Sequence, residues 1–344
     1  MPHVVALGDV NIDIIAHVSS YPAKGQEALA HAIGFHCGGS AANTAMALAR
    51  LGLEVVLIAR VGPDPLASQA LHSLSEAGVV PTALQRDPTA VTGLMYIVVT
   101  PDGERTMLGH RGANVLTDPN QIRERDFQAA RLFHLSGYAL LADPQRSAAL
   151  LALEIACRHG LAVTLDPGMA LPGAALDEIR ALLPVVNLTL PSLVEAQRLT
   201  GQTTPEQCAQ ALMAAGTGAV ALKLGKDGCL IGSDQGLLRV PGFSVQARDT
   251  TGAGDYFAAG LIAGFLGGLD WHEAAVLGNA MGALAAARVG AGTSVPGAGE
   301  VLGFLRLHQE SSPWERADPS TPRAESIQQV IDFLVTLTTE WKER

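Results

Sequence analysis

A chain of 344 residues, 48% hydrophobic and 16% charged, has the length and composition of a folded globular protein with one large α/β domain or two ordinary ones. A formal charge of −10 excludes broad binding to nucleic acid or to an anionic membrane, since both need clustered Lys and Arg. An anionic ligand held by backbone amides at a helix N-terminus stays open.

The four cysteines (Cys37, Cys157, Cys208, Cys229) are widely spaced, without C-x-x-C, and read as reduced thiols of a cytoplasmic protein. The N-terminus lacks the basic and long apolar regions of a signal peptide. The most apolar stretches, 257–268 and 274–292, are short or broken by Asn279 and Arg288, so no transmembrane segment is expected.

In chain order, residues 4–7 form an apolar run ending at Gly8-Asp9, as a buried parallel strand would. Segments 12–18 and 28–35 suit two antiparallel strands. A small-residue helix over 40–51 closes at Gly52, a strand follows at 55–58, and a helix over 66–77 stops at Gly78. Segments 94–100 and 104–108 flank Asp102-Gly103, a strong hairpin signal because both residues tolerate positive φ. Then come a strand at 132–135, a helix at 145–159, and a strand at 162–165 before Asp166-Pro167. A strand at 185–190, a helix at 207–215 and a strand at 219–224 complete the series. This alternation predicts a parallel sheet covered on both faces. The antiparallel segments predict a small sheet serving as a lid over a cleft. Residues 311–323 read as a linker. Thr321-Pro322 starts a helix whose Ile327, Val330, Ile331, Leu334, Leu337 and Trp341 share one face, expected to pack on the chain's own domain.

The stretch Asp249-Thr250-Thr251-Gly252-Ala253-Gly254-Asp255 carries the chemistry. Two glycines around a small residue, then an acid and a small-residue helix, describe a turn presenting backbone amides at a helix N-terminus. Such a nest binds phosphate or a developing oxyanion, and Asp255 is placed to take a proton from an attacking hydroxyl. A dinucleotide fingerprint would need glycine where Phe257 stands, and 34–40 lacks a Walker lysine. A plain turn with a capping Asp is the bland alternative. Upstream, Gly38-Gly39-Ser40 opens the first helix, with Asn43 among Ala and Leu. Asn43 needs a hydrogen-bond partner if buried, either a ligand hydroxyl or a core group. Asn11 and Asp13, two apart on an extended segment, point to one side and suit either a polyol or solvent.

Together these motifs make the chain resemble the ribokinase-like, or PfkB, family of carbohydrate kinases over roughly residues 3–300. Gly225-Lys226-Asp227-Gly228 and Gly290-Ala291-Gly292-Thr293-Ser294 add support. The resemblance implies an α/β fold: a three-layer, doubly wound, mostly parallel sheet with a β-sheet lid from about 11–36 and 92–112. Residues 1–310 would be the kinase domain, and 311–344 the linker and C-terminal amphipathic helix. It implies Asp255 as base and the amides of Gly252, Ala253 and Gly254 as anion hole. Asn11, Asp13, Gly39, Ser40 and Asn43 would hold a sugar. Lys223, Gly225 and Gly228 would flank ATP, with Asn279 beside the adenine. Glu195 would act on Mg²⁺ through water, and Asp249, Thr251 and Ser294 would hold a monovalent cation such as K⁺. The family's N-x-x-E has Ser192 at the Asn position here, which puts the magnesium arrangement in doubt.

The expected activity is ATP-dependent phosphorylation of a hydroxyl of a small sugar, ribokinase- or fructokinase-like. A nucleoside kinase or a non-catalytic sensor are the rivals, and a sugar acid is a third-ranked acceptor. Glu104-Arg105 and Arg111 in the lid read as solvated residues or as contacts to an acidic substrate. A homodimer through the lid is expected by resemblance, supported if apolar strand faces around 94–99 are exposed.

Overall fold

The computed structural model describes residues 3–102, 104–168, 173–288, 295–310 and 324–342. Ser294 with the 290–294 loop, the linker 311–323 with Thr321-Pro322, and the side chain of Trp341 lie outside the described residues.

The opening apolar run is β1 (His3–Leu7), followed by β2 (Asn11–Val18), β3 (Ala30–Gly38) and α1 (Ser40–Arg50). Then come β4 (Glu54–Val61), α2 (Pro65–Glu76), β5 (Leu84–Arg86), β6 (Gly93–Val99) and β7 (Arg105–His110). The alternation resumes with β8 (Ala130–Ser136), α3 (Gln145–Arg158), β9 (Ala162–Asp166), α4 (Gly173–Leu182), β10 (Leu188–Thr189), α5 (Leu193–Thr200), α6 (Pro205–Ala214) and β11 (Ala219–Lys223). A hairpin of β12 (Cys229–Ser233) and β13 (Gly236–Val240) precedes four helices: α7 (Ala253–Gly267), α8 (Trp271–Ala286), α9 (Ala298–Glu310) and α10 (Ala324–Lys342).

Nine strands form one sheet in the order β13-β12-β11-β10-β9-β8-β1-β4-β5. Its strands run in one direction except β12, which pairs antiparallel with β11 on one side and with edge strand β13 on the other. The strands alternate sequence faces into two apolar layers. One, with Ala6, Leu57, Met46, Leu261 and Leu277, packs under α1, α7 and α8. The other, with Val5, Phe133, Val163, Leu153 and Leu222, packs under α3 to α6. Burial on both faces explains the near-continuous aliphatic runs that mark these strands in the sequence.

A separate four-stranded sheet has the order β3-β2-β6-β7. The 94–100/104–108 hairpin pairs antiparallel as β6 and β7, and β2 pairs antiparallel with β3 but parallel with β6. Two sequence expectations need correction. The 185–190 strand shrinks to β10, because Pro184 cannot donate a ladder bond and Leu183–Val185 turns as a 3₁₀ segment. The β12–β13 hairpin lies beyond the series of elements expected from the sequence, which ended with the 219–224 strand.

Helix α10 packs against α8 and α9, with Ile327, Val330, Ile331, Leu334 and Leu337 buried. Its Phe333 lies over Gly267, where an added Cβ would fall 2.1 Å from the ring. Leu334→Ala removes a fully buried side chain. It is expected to destabilise the protein by about 2–5 kcal/mol, read as a lower urea midpoint at unchanged slope.

Candidate active site

The site forms at the carboxyl ends of β1, β9 and β11, where the N-termini of α1 and α7 converge. Crevices at such strand ends are the usual ligand sites of open α/β sheets. Helix α7 begins at Gly252, whose φ of 75° lies in the left-handed region and which carries no side-chain cap. The turn before it is tied down elsewhere. Arg248 and Asp249 donate backbone amides to Ala286 O at 2.7 and 3.2 Å, and Ala253 donates to Thr250 O at 3.3 Å. The amide of Ala253, one of the three expected to line an anion hole, is therefore engaged within the turn.

Asp255, in the first turn of α7, meets the first turn of α1. Ser40 Oγ donates to Asp255 Oδ1 and Asn43 Nδ2 donates to Oδ2, both at 2.8 Å. Thr44 Oγ1 reaches the Asp255 carbonyl at 3.3 Å. Burial, with a push from the Asp166 charge, raises the Asp255 carboxyl to about 6, against the pull of Asn43, Ser40 and Lys223. Asn43 thus finds its partner in the protein, not only in a prospective ligand, while its buried Oδ1 has no protein partner among the described residues. Gly39 caps α1 with a φ of 99°, and a Cβ there would fall 2.3 Å from the Asp9 carbonyl. Only glycine lets the chain turn this closely into α1.

Lys223 ends β11. Its Nζ donates to Asp166 Oδ2 at 2.7 Å, and a Cβ built on Gly254 would lie 3.5 Å from the same nitrogen. The ammonium therefore stands directly against the turn at the α7 N-terminus. Burial alone would lower it, but the charges of Asp166 and Glu195 outweigh burial and hold it above its ordinary value. Burial raises the Glu195 carboxyl in turn, against the pull of Lys223. Glu195 Oε2 accepts from the Ser192 amide at 2.7 Å, and Ser192 Oγ accepts from the Glu195 amide at 3.3 Å. Ser192 in the Asn position is thus the N-cap of α5 in a reciprocal capping box.

A pocket of about 330 Å³ opens beside Lys223, lined by Ser192, Pro205, Gly225, Asp227 and Arg239 among others. Gly225 lines it as expected for a nucleotide site. Gly228 and Asn279 do not. Asn279 is buried and donates to the carbonyls of Val240 and Pro241 at 3.2 and 3.0 Å, holding the end of β13.

On the opposite side, Asp13 projects from the lid strand β2 and is buried. Desolvation first, then the charges of Asp255 and Asp249, raise it to about 7. Asn11 Oδ1 accepts from Asn114 Nδ2 at 2.8 Å, and Asn114 also exchanges hydrogen bonds with the Val10 backbone at 2.9 and 3.1 Å. That bond fixes the orientation of the Asn11 amide group. Arg111 forks onto Asp9 at 2.8 and 2.9 Å, with Gln145 bridging the same pair.

Asp249 Oδ1 accepts from the amide and hydroxyl of Thr251 at 2.9 and 2.6 Å. Arg105, from β7, approaches the same oxygens: Nη1 lies 2.5 Å from Thr251 Oγ1 and 3.5 Å from Asp249 Oδ1. Asp249 and Thr251, two of the side chains expected to hold a monovalent cation, are in contact with a guanidinium. Asp166, Asn114 and the contact of Arg105 were not identified as site features from the sequence. An acid ending a parallel strand was the available signal for Asp166; Asn114 offered none.

Residues 1–298 match the pfkB family carbohydrate kinase description. The chain is 35% identical to an ATP-dependent ribose-1-phosphate kinase of Halopiger xanaduensis, across 89% of this chain and 98% of that one. It is 30% identical to a ribokinase of Haemophilus influenzae, across 88% and 98%. The solved structure of an Arabidopsis thaliana ribokinase complexed with ribose and ATP superposes with a TM-score of 0.77 at 25% identity, covering 88% of this chain and 98% of that one.

The raised carboxyls make a prediction about stability. In the folded state Asp13 holds its proton up to about 7, whereas the unfolded value is 3.8. The folded chain binds more protons across that window, so Asp13 takes stability away as pH rises from about 4 to about 7. Buried His134, pushed down to about 4 by desolvation, works in the opposite sense. Comparing variants at one pH cancels it. Asp13→Asn should raise the melting temperature relative to the native chain more at pH 8 than at pH 5; an equal effect at both would refute the assignment.

Proposed function

The chain belongs to the pfkB family of carbohydrate kinases, and from that premise we propose that it transfers the γ-phosphoryl group of ATP to a hydroxyl of a small sugar, with Asp255 as general base. The observation that carries this reading is the Asp255 carboxylate, fixed by Ser40 and Asn43 at the α7 N-terminus beside the Lys223 ammonium. A base, an amide-lined anion site and a cation then face one point, which is the arrangement in-line phosphoryl transfer needs.

In this reading the acceptor lies between the lid and α1, with Asn11, Asp13, Gly39 and Ser40 on its hydroxyls. Asp255 takes the proton of the primary hydroxyl as its oxygen attacks the γ-phosphorus. Its carboxyl, raised to about 6, is mostly ionised at neutral pH yet a stronger base than an ordinary Asp. The α7 N-terminus and Lys223 offset the charge gathering on the phosphoryl oxygens. The pocket beside Lys223 and Gly225 has the size and position for the nucleotide. Asp166 and Glu195 flank Lys223 and offer the oxygen donors a Mg²⁺ ion prefers, directly or through water. The ion would neutralise charge on the β- and γ-phosphates. No step is assigned to K⁺, because Arg105 faces the same Asp249 and Thr251 oxygens.

The acceptor class follows the relatives: ribose-like or fructose-like sugars first. The ribose-1-phosphate kinase relative favours a second reading, a phosphorylated ribose. Free thiols at Cys37, Cys157, Cys208 and Cys229 suit a reducing, cytoplasmic compartment. Residues 1–310 would form the catalytic domain, with α10 an added element. A homodimer through the lid is supported by exposed Ile33, Phe35, Tyr96, Met107 and Leu108. The exposed apolar surface is chiefly on edge strands β3 and β7, since Ile97 and Val98 of β6 are buried.

Asp255→Asn should lower turnover by about 10²–10⁴-fold while ATP binding stays within a few-fold. The native enzyme's kcat should fall as pH drops through about 6, the Asp255 value. An ADP-release assay over ribose, fructose, ribose-1-phosphate and adenosine reads both and ranks the acceptors. Turnover of Asp255→Asn near the native rate would remove Asp255 from the chemistry.

A further inference from the structure

Arg105 is the first residue of β7, on an outer edge of the lid, yet its guanidinium leaves the lid and lands on the turn that leads into α7. Nη1 donates to Thr251 Oγ1 at 2.5 Å and Nη2 to Thr250 Oγ1 at 2.8 Å. The nearest carboxylate contact is a longer one, 3.5 Å to Asp249 Oδ1. A partly exposed ion pair of that length adds little to stability, so bond strength does not account for the placement. Geometry does. The rigid fork of a guanidinium spans two consecutive hydroxyls, which a point-charge ammonium cannot match.

The two hydroxyls belong to the residues immediately before Gly252. Thr251 is also fixed through its amide and its own hydroxyl proton, both given to Asp249 Oδ1. One connected network therefore runs from the lid strand through Arg105, Thr251 and Asp249 to the backbone entering the anion hole. We infer that Arg105 is a positioning residue: delivered by the closed lid, it sets the Thr250-Thr251 turn so that the amides after it face the transferring phosphoryl group.

This inference rests on the kinase reading and adds a coupling to it. An acceptor that closes the lid also completes the phosphoryl site, so transfer to water is slow until the acceptor is bound. Arg105 acts through the threonines and not on the acceptor itself. Its loss should therefore lower kcat and leave acceptor KM nearly unchanged, since mispositioning by an ångström or less is enough to cost about 10²-fold in rate.

The test uses the full chain and its best acceptor. Arg105→Ala should reduce kcat by about 10–100-fold with acceptor KM within about threefold, and raise the share of ATP hydrolysed per acceptor phosphorylated. Arg105→Lys should recover only part of kcat. Thr250→Val should lower kcat as well, and adding it to Arg105→Ala should cause little further loss, because both remove one link. Hydrogen exchange of the peptide spanning 249–254 gives a readout independent of turnover, and it should speed up in Arg105→Ala. An unchanged kcat, a rise confined to acceptor KM, losses that multiply in the double variant, or unchanged exchange in that peptide each overturn the inference. A native chain that phosphorylates no acceptor sinks the kinase reading instead, and the exchange measurement then still decides whether Arg105 orders the turn.

Discussion

The Asp255 carboxylate, gripped by Ser40 and Asn43, is the contact on which the site depends. Its two oxygens receive two donors from the first turn of α1, 212 and 215 residues away in sequence, each at 2.8 Å. Two helix N-termini carry like partial charges and repel when they meet end to end. A carboxylate between them turns that repulsion into attraction for both. The two helices pack on each other, and the turns that meet are rich in small buried residues: Ala41, Ala42 and Ala45 on α1, Ala258 and Ala259 on α7. The alanine and glycine richness of the chain is thus tied to the chemistry, since bulkier residues would part the helix ends and leave Asp255 unsupported.

The surrounding charges are not balanced. Asp13, Asp166, Glu195 and Asp255 crowd a region with one buried ammonium, Lys223. Burial holds the carboxyls of Asp13 and Asp255 above their usual range, a sign that the folded chain tolerates this arrangement at some loss of stability. Such strain marks functional sites more than structural ones. The acids divide by hydrogen-bond partner: Asp166 holds Lys223, Glu195 holds the start of α5, and Asp255 accepts from the neutral Ser40 and Asn43 while Lys223 acts on it through charge alone. A carboxylate bound only by neutral donors keeps more proton affinity than one paired with a cation, as a base requires.

How much of this was legible in the sequence depended on how local each feature is. Gly252-Ala253-Gly254-Asp255 could be read because a turn, a helix start and an acid at its lip are set by neighbouring residues. The central strands were legible because burial on both faces leaves continuous aliphatic runs, whereas β10 was overextended into Val185, which still belongs to the 3₁₀ turn around Pro184. Asn43 was conspicuous among alanines, but nothing nearby reveals that Asp255 would take its amide. Asn279 has a resemblance-derived nucleotide role, and nothing near it in the sequence reveals that its amide would donate to the carbonyls of Val240 and Pro241. Arg105 looked like a solvated lid residue, and its partners lie 144 to 146 positions downstream. Polar groups found mainly through tertiary contact leave no periodic trace.

The lid's two anchors differ in kind, and the difference sets its motion. At the root, just after β7, Arg111 makes a bidentate, charge-assisted pair with buried Asp9, reinforced by Gln145. At the tip, Arg105 holds two neutral hydroxyls and one distant carboxylate. At the root both partners carry a full charge, whereas at the tip the hydroxyls carry none, and breaking the buried pair would strand Asp9 without its cation. In the proposed reading the root would stay fastened on opening and the tip would release first. A sheet held so would swing as a flap, with Asn11 near its fixed end and Arg105 at its free end. Acceptor recognition would then stay near the hinge, and the Arg105 contact inferred to set the phosphoryl site would travel farthest.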